Sequence, residues 1–386
     1  MSDLFDTYVL SDDLILRNRI VMAPLTRARA SAGDVPNALM ATYYGQRATA
    51  GLIITEATDV SASSKGYAWT PGIFTSAQVE GWRLITDIVH RGGGCIFLQI
   101  WHVGRMAHSS MLPNESPPWG ATAERARGAE VFVHDLDGRA AFVQPSIPRR
   151  MQMQDIAALV REFEQAFRHA QMAKFDGVEI HGANGYLFDQ FMNSTLNTRA
   201  DHYGGETPQS RTRLILEVVD SAIAILGAGR VGVRVSPFGI FNSMPEDPYT
   251  EETLLYLCAQ LDRRKVAYLH IVYQFMPSGN VSDGEFSQEN LSPALVAKVR
   301  AAFRFTLIWC GGFGGYTAQA AVAAGWADLI AFGRPYIGNP DLVERLKHDW
   351  PLTVADPSTY YTRNGPIGYT DFPEHSGIRA KRIPAQ

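Results

Sequence analysis

Eight apolar runs recur along this chain, each followed by a stretch with helical spacing, and that alternation restricts the fold more than any single motif does. The runs are Arg19–Pro24, Leu52–Ala57, Gly94–His102, Val178–His181, Arg230–Ser236, Ala267–Val272, Thr306–Cys310 and Asp328–Phe332. Helical patterns fill Asn37–Thr49, Ala77–His90, Gln154–Phe175, Arg211–Leu226, Thr250–Lys265, Ser292–Phe303, Thr317–Ala324 and Pro340–Lys347. In the longest, Ile156, Leu159, Val160, Phe163 and Phe167 trace one face; Ser292 and Pro293 read as a cap and first turn. Strands apolar on nearly every residue are buried on both faces, the mark of a parallel sheet in an α/β protein. Eight such units in 386 residues favour a closed (β/α)8 TIM barrel over an open sheet. Apolar segments around Val9 and Ile15 add an N-terminal hairpin. No Gly-, Ser- or Pro-rich linker divides the chain, so residues 1–386 read as one domain.

One segment escapes the alternation. Residues 103–152 carry Pro113, Pro117 and Pro118, and then Val131–Val133 and Ala141–Val143 around Asp137-Gly138, a hairpin signal. A loop this long is expected to cap one mouth of the barrel. A net charge of −4 gives no reason to expect nucleic acid or an anionic membrane as partner. Cys95, Cys258 and Cys310 form no CxxC pair, which argues against an iron–sulfur cluster, a thiolate zinc site or a disulfide framework. The acidic N-terminus lacks a secretory pattern, and no apolar run is long enough to span a bilayer, so a cytoplasmic protein is expected.

Barrel enzymes work at the C-terminal ends of their strands, and the unusual polar residues of this chain fall there. Thr26 and Arg27 follow the first run, and Glu56, Ala57 and Thr58 end the second. Gln99, Trp101, His102 and Arg105 end the third; His181, Asn184 and Tyr186 end the fourth; Arg234 lies late in the fifth. His181 and Asn184 are three apart, so a helical turn or tight loop puts both on one side, with Tyr186 in reach. Two neutral donors beside a phenol suit a substrate oxygen that gains negative charge and a carbon that needs a proton. Each alone also fits a satisfied polar group in an ordinary loop.

After the seventh and eighth runs come Gly311-Gly312-Phe313-Gly314-Gly315 and Gly333-Arg334. Loops at these places in a barrel commonly hold a phosphate with backbone N–H groups, and Arg334 can add a bidentate contact. Gly227-Ala228-Gly229-Arg230-Val231-Gly232 matches GxGxxG, but a helix runs into it and a strand begins inside it, the reverse of a dinucleotide fingerprint. No histidine spacing suggests a metal site. Asn197–Gly205 reads as a structural loop in which Arg199 and Asp201 pair.

Taken together, Ala23–Arg27, Gln99–Arg105, His181–Tyr186, Asn197–Gly205, the strand ending in Arg234, and Phe332–Arg334 resemble the old yellow enzymes, flavin-dependent ene-reductases, in the branch with threonine at Thr26. The resemblance runs from about Leu4 to Pro373. It implies a TIM barrel holding one FMN non-covalently, with NADPH or NADH as reductant and an electrophilic alkene as substrate, in a monomer or homodimer. It places Pro24, Thr26, Ala57, Gln99 and Arg234 on the isoalloxazine, and Gly312, Phe313, Gly333 and Arg334 on the ribityl phosphate. His181 and Asn184 would bind the substrate carbonyl beside the flavin, Tyr186 would donate the proton, and Trp101 would line the pocket. It also sets a tyrosine of Tyr360-Tyr361 near the ring. A nitrate-ester or nitroaromatic reductase of the same family is the alternative. A related amine dehydrogenase or dienoyl-CoA reductase would need a cysteine cluster. A non-redox phosphate-binding lyase or isomerase would show a lysine or carboxylate base at the strand ends, and a flavin-storage protein would not need Tyr186.

Overall fold

Along each apolar run, side chains alternate between the barrel axis and the surrounding helices, so neither face meets water. The computed structural model describes residues 2–135, 137–273, 292–363 and 365–378. The chain begins with an antiparallel hairpin, β1 (Tyr8–Ser11) and β2 (Leu14–Leu16). There follow β3 (Ile20–Met22), α1 (Ala38–Gln46), β4 (Leu52–Ile54), β5 (Thr58–Asp59), α2 (Ser76–Arg91) and β6 (Ile96–Trp101). The excursion after β6 carries β7 (Trp119–Gly120), β8 (Val131–His134), β9 (Ala140–Val143) and β10 (Arg149–Arg150). Next come α3 (Met153–Met172), β11 (Gly177–Gly182), α4 (Leu187–Met192), α5 (Pro208–Leu226), β12 (Val231–Val235), α6 (Thr250–Arg264) and β13 (Tyr268–Val272). The last set is α7 (Pro293–Ala302), β14 (Thr306–Cys310), α8 (Gly315–Ala323), β15 (Leu329–Phe332), α9 (Pro335–Gly338) and α10 (Leu342–Lys347).

The ring closes in the order β3-β4-β6-β11-β12-β13-β14-β15, with β15 paired to β3 and every pairing parallel. This is the expected (β/α)8 barrel. Its axis is filled by Val21, Leu52, Ile54, Phe97, Tyr268 and Ile308, and Leu10 and Leu16 of the hairpin join them, stopping the N-terminal end. The larger cluster packs the outer strand faces against the helices and includes Trp82, Ile85 and Val89 of α2 and Phe163 and Phe167 of α3. No helix among the described residues is long and apolar enough to cross a membrane.

Several boundaries differ from expectation for identifiable reasons. The second run stops as a ring strand at Ile54, because the Glu56 N–H donates to the Tyr44 hydroxyl at 2.9 Å rather than to a neighbouring strand. Its continuation, β5, pairs with the end of β6 outside the ring. The expected helix Pro340–Lys347 is present only from Leu342 as α10, and Asn339, whose Nδ2 donates to the Pro335 and Thr353 carbonyls, ends the short α9 before it. Ser292 occupies the cap position of α7 without a side-chain capping bond. The expected hairpin is present as β8–β9, and β7 pairs with β10 to clip the base of the excursion. Gly227, at φ 85°, ends α5, and a single 3-10 turn over Ala228–Arg230 leads into β12, so the GxGxxG match is a helix-to-strand connection. Arg199 pairs with Asp201 at 2.6 Å while donating to the Met151 carbonyl at 2.7 Å, which ties its loop to the foot of α3.

Candidate active site

β6 and β11 are neighbours in the ring, with Gln99 in register with Glu179 and Ile100 with Ile180. Their C-terminal ends therefore bring Trp101 and His181 together, and the rings stack with centroids 5.9 Å apart and planes 8° from parallel. Beyond β11 the chain turns through Ala183, Asn184 and Gly185 into α4. Asn184 and Gly185 have φ of 60° and 74°. Asparagine tolerates that left-handed conformation better than most residues. At Gly185 a Cβ would come within 2.8 Å of the Phe241 carbonyl oxygen. The turn is held from both sides. The Asn184 N–H donates to Ser236 Oγ at 2.7 Å, its carbonyl accepts from Asn242 Nδ2 at 2.8 Å, and the Gly185 N–H donates to Asp189 Oδ2 at 2.8 Å.

That turn delivers Tyr186 to the position before α4, with its ring 4.7 Å from Trp101 and 5.1 Å from His181, nearly perpendicular to both. Its hydroxyl donates to the Tyr67 hydroxyl at 3.2 Å. Tyr67 in turn stacks on Trp101 at 5.7 Å. Trp101 is pinned by donation from Nε1 to Asp59 Oδ1 at 2.7 Å, and Thr70 Oγ1 holds the other Asp59 oxygen at 2.8 Å. Val131 and Val133 of the excursion pack into the cluster containing Trp101 and Tyr186, so this segment forms one wall of the site.

Burial sets the protonation states. It pushes the Tyr186 phenol up to about 12, with Tyr67 and Asn242 pulling weakly the other way through hydrogen bonds. It also drives the His181 imidazole well below its usual value, reinforced by the charge of Arg234. His181 is thus neutral, and because Nδ1 accepts from the Ala183 N–H at 3.3 Å the ring proton resides on Nε2. The site presents a neutral N–H donor beside a protonated phenol.

Arg234 on β12 stands in register with His181 on one side and His270 on the other. It is buried, and its Nε has no hydrogen-bond partner among the described residues. A buried guanidinium N–H without an acceptor is costly, so the position calls for an acceptor from outside the chain. Gln99 is buried nearby, its Nε2 donating to Glu179 Oε1 at 2.7 Å. Buried Pro24 and Ala57 and half-buried Thr26 follow the adjacent strands β3 and β4 at the same end. At the far side of this mouth β14 and β15 are paired, so the Gly311–Gly315 turn and the Gly333–Arg334 turn run side by side. Gly312 has φ 74°. Among the described residues, a Cβ at Gly333 would meet nothing nearer than Leu25 at 3.6 Å, and one at Gly314 nothing nearer than Thr317 at 4.0 Å, so both turns leave room for a ligand. Gly314 precedes α8, whose first N–H groups suit an anion, and Arg334 precedes α9. Phe313 is buried and Arg334 exposed. A buried cation in need of an acceptor at one end and an open glycine cradle at the other fit a flavin mononucleotide.

The remaining strand-end polar residues turn away from the mouth. Arg27 donates to the carbonyls of Gly368 and Tyr360, and Arg29 to those of Thr359, Tyr360 and Ile367, so two buried guanidiniums clasp the 359–368 segment. Tyr369 stacks on Tyr43 at 4.1 Å and lies under Arg29. His102 accepts from the Gly104 N–H and stacks on Trp119, and burial pushes its imidazole down to about 3. Arg105 donates to the Ser243 carbonyl. Of the paired tyrosines, Tyr361 approaches the site, where its phenol opposes ionisation of Tyr67 and Tyr186. Tyr360 turns to the Ala355 carbonyl. Tyr67, Asp59, Ser236 and Asn242 were not anticipated; the first two reach the site from the connection between β4 and α2 and the other two from that between β12 and α6, and no spacing in the chain announces them.

Residues 3–353 match the family model described as NADH:flavin oxidoreductase / NADH oxidase. This chain belongs to that family, the old yellow enzymes. It is 42% identical over 363 residues to 12-oxophytodienoate reductase 1 of Oryza sativa subsp. japonica, covering 93% of this chain and 90% of the relative. With 12-oxophytodienoate reductase 2 of Arabidopsis thaliana it is 40% identical over 359 residues, covering 93% and 92%. The solved structure of morphinone reductase superposes with a TM-score of 0.91 at 41% identity over 97% of each chain. The old yellow enzyme homologue from Zymomonas mobilis does so at 0.87 and 39%, over 97% of this chain and all of that one. As an old yellow enzyme, the chain is an FMN-dependent oxidoreductase reduced by a nicotinamide.

Proposed function

We propose that this old yellow enzyme reduces the activated C=C bond of α,β-unsaturated carbonyl compounds at the mouth lined by Trp101, His181, Asn184 and Tyr186. The observation that carries this reading is a neutral imidazole N–H donor beside a phenol held protonated up to about 12. Pro24, Thr26, Ala57, Gln99 and Arg234 would hold the isoalloxazine ring beside His181, and Gly312, Phe313, Gly333 and Arg334 the ribityl phosphate. FMN, once reduced by NADPH or NADH, supplies a hydride for the β-carbon of the alkene.

The side chains of this protein do the rest. His181 Nε2–H and the Asn184 side chain donate to the carbonyl oxygen, where negative charge develops as the β-carbon is attacked. A neutral donor stabilises that charge without surrendering its own proton. Tyr186 O–H then protonates the α-carbon, giving the saturated ketone. The tyrosinate left behind accepts a hydrogen bond from the Tyr67 hydroxyl, the 3.2 Å contact reversed, until solvent restores its proton. Trp101, locked by Asp59, covers the substrate and limits water entry. The relatives named for 12-oxophytodienoate and morphinone act on enones, which supports a substrate of this class.

The deciding experiment is anaerobic. Protein reduced by one equivalent of NADPH is mixed with cyclohexenone, and the flavin spectrum and the product are followed together. Reoxidation with formation of cyclohexanone is expected. Reoxidation only by nitrate esters or nitroaromatics, with no ketone formed, would favour the other branch of the family.

A further inference from the structure

Glu179 sits in the strand that ends in His181, and nothing in the reaction uses it. Its carboxylate lies inside the barrel and is wholly buried, as is His270. Oε1 accepts from Gln99 Nε2 at 2.7 Å and Oε2 lies 2.9 Å from His270 Nδ1. The three side chains come from β6, β11 and β13, so Glu179 reaches across β12 to touch His270. It does so opposite Gly232, its register partner, where a Cβ would collide with the Tyr268 ring. Arg234 is the next inward residue along β12, above Gly232 and beside His270.

An ionised Glu179 can only accept, so Gln99 Nε2 and His270 Nδ1 then donate to its two oxygens. That fixes both neighbours. Gln99 must turn its NH2 toward Glu179, so its amide cannot flip; His270 must carry its proton on Nδ1. With one amide N–H committed, Gln99 retains one N–H and its carbonyl oxygen, an adjacent donor and acceptor. This is the complement of an N–H/C=O edge such as that of a pyrimidinedione. The buried negative charge also lies on the same inner wall as the positive charge of Arg234, so it offsets the attraction that Arg234 exerts on an electron-rich ligand.

We propose that Glu179, steadied by His270, is a positioning residue for the flavin: it locks the Gln99 amide in the orientation that reads the pyrimidine edge, and its charge lowers the flavin's reduction potential against the pull of Arg234. This rests on the reading of Gln99 and Arg234 as flavin-binding residues.

Two substitutions separate the roles. Glu179→Gln keeps an acceptor for Gln99 and loses the charge, so the FMN midpoint potential, measured by spectroscopic titration, should move positive while FMN affinity of the apoprotein changes little. Glu179→Leu removes the acceptor, and FMN affinity, read from fluorescence quenching, should fall roughly tenfold or more, the cost of freeing one buried amide. In that background Gln99→Ala should cost little further, because the two side chains act as a unit. Should Glu179→Leu fail to fold, the potential of Glu179→Gln still decides. An unchanged or lowered potential in Glu179→Gln, or additive losses from Glu179→Leu and Gln99→Ala, would overturn the inference. Either result in a wild type that binds FMN and reduces cyclohexenone leaves the proposed function standing, so the two fail separately.

Discussion

The hydroxyls of Tyr186 and Tyr67 lie 3.2 Å apart, with Tyr186 donating. Tyr186 thereby has its proton directed by a residue more than a hundred positions earlier in the chain. Tyr67→Phe should leave flavin reduction by NADPH intact and slow cyclohexenone reduction by roughly five- to thirtyfold, the loss of one hydrogen bond to a developing charge. Stopped-flow measurement of the two half-reactions checks this; an equal slowing of both would point to a displaced flavin.

Tyr186→Phe should be more selective. Reoxidation by cyclohexenone should fall by about two to four orders of magnitude, the usual share of general acid catalysis. A nitroalkene should still reoxidise the flavin at near wild-type rate, since hydride addition yields a nitronate stable enough to leave unprotonated. Equal slowness with both substrates would make Tyr186 a positioning group.

His181 is held neutral by burial and by Arg234, well below its usual value. It should therefore not titrate between about pH 5 and 8, and phenol binding should follow only the ionisation of the phenol. His181→Ala should weaken such binding at every pH in that range. It should also cost roughly 3–4 kcal/mol of transition-state stabilisation in enone reduction. A wild-type binding curve with a step near pH 6.5 that vanishes in His181→Ala would contradict the neutral assignment.

Arg334 stands at the open end of the glycine cradle. Arg334→Glu should release FMN by reversing the charge that faces the phosphate. A folded variant that retains FMN through gel filtration would move the phosphate site elsewhere.

Asp59 holds the Trp101 indole, and burial pushes its carboxyl up to about 7. Its folded value therefore lies above its unfolded value. Between about pH 4 and 7 the unfolded chain binds fewer protons at this group, so its contribution makes stability decline as pH rises. Asp59→Asn can still accept from the indole, and should flatten that decline and raise Tm at pH 8. Melting curves across this range would show it; an unchanged slope would assign the pH dependence to other carboxyls, such as Glu56, also raised to about 7.

The barrel was legible because unbroken apolar runs have few other solutions, and the strand ends then pointed to His181, Asn184 and Tyr186. What stayed hidden arrives by long loops. Tyr67 and Asp59 lie between β4 and α2, and Asn242 follows β12, where neither periodicity nor caps relate one segment to another. Glu179 was hidden differently: within an apolar run an inward carboxylate looks like any strand residue until Gln99 and His270 meet it. Arg27, by contrast, sat where a catalytic residue would be expected, yet it faces the opposite way.

That orientation has a consequence for how the molecule is made. Arg27 and Arg29 emerge from the first barrel strand, but most of the carbonyls that satisfy them lie in residues 359–368, at least 330 residues further along the chain. Until that segment arrives, the two guanidiniums lack most of their protein acceptors and must be satisfied by water instead. The same segment carries Tyr361 to the edge of the site. A chain stopped short of Thr359 would therefore lack at once the cover over Arg27 and Arg29 and the tyrosine at the edge of the site.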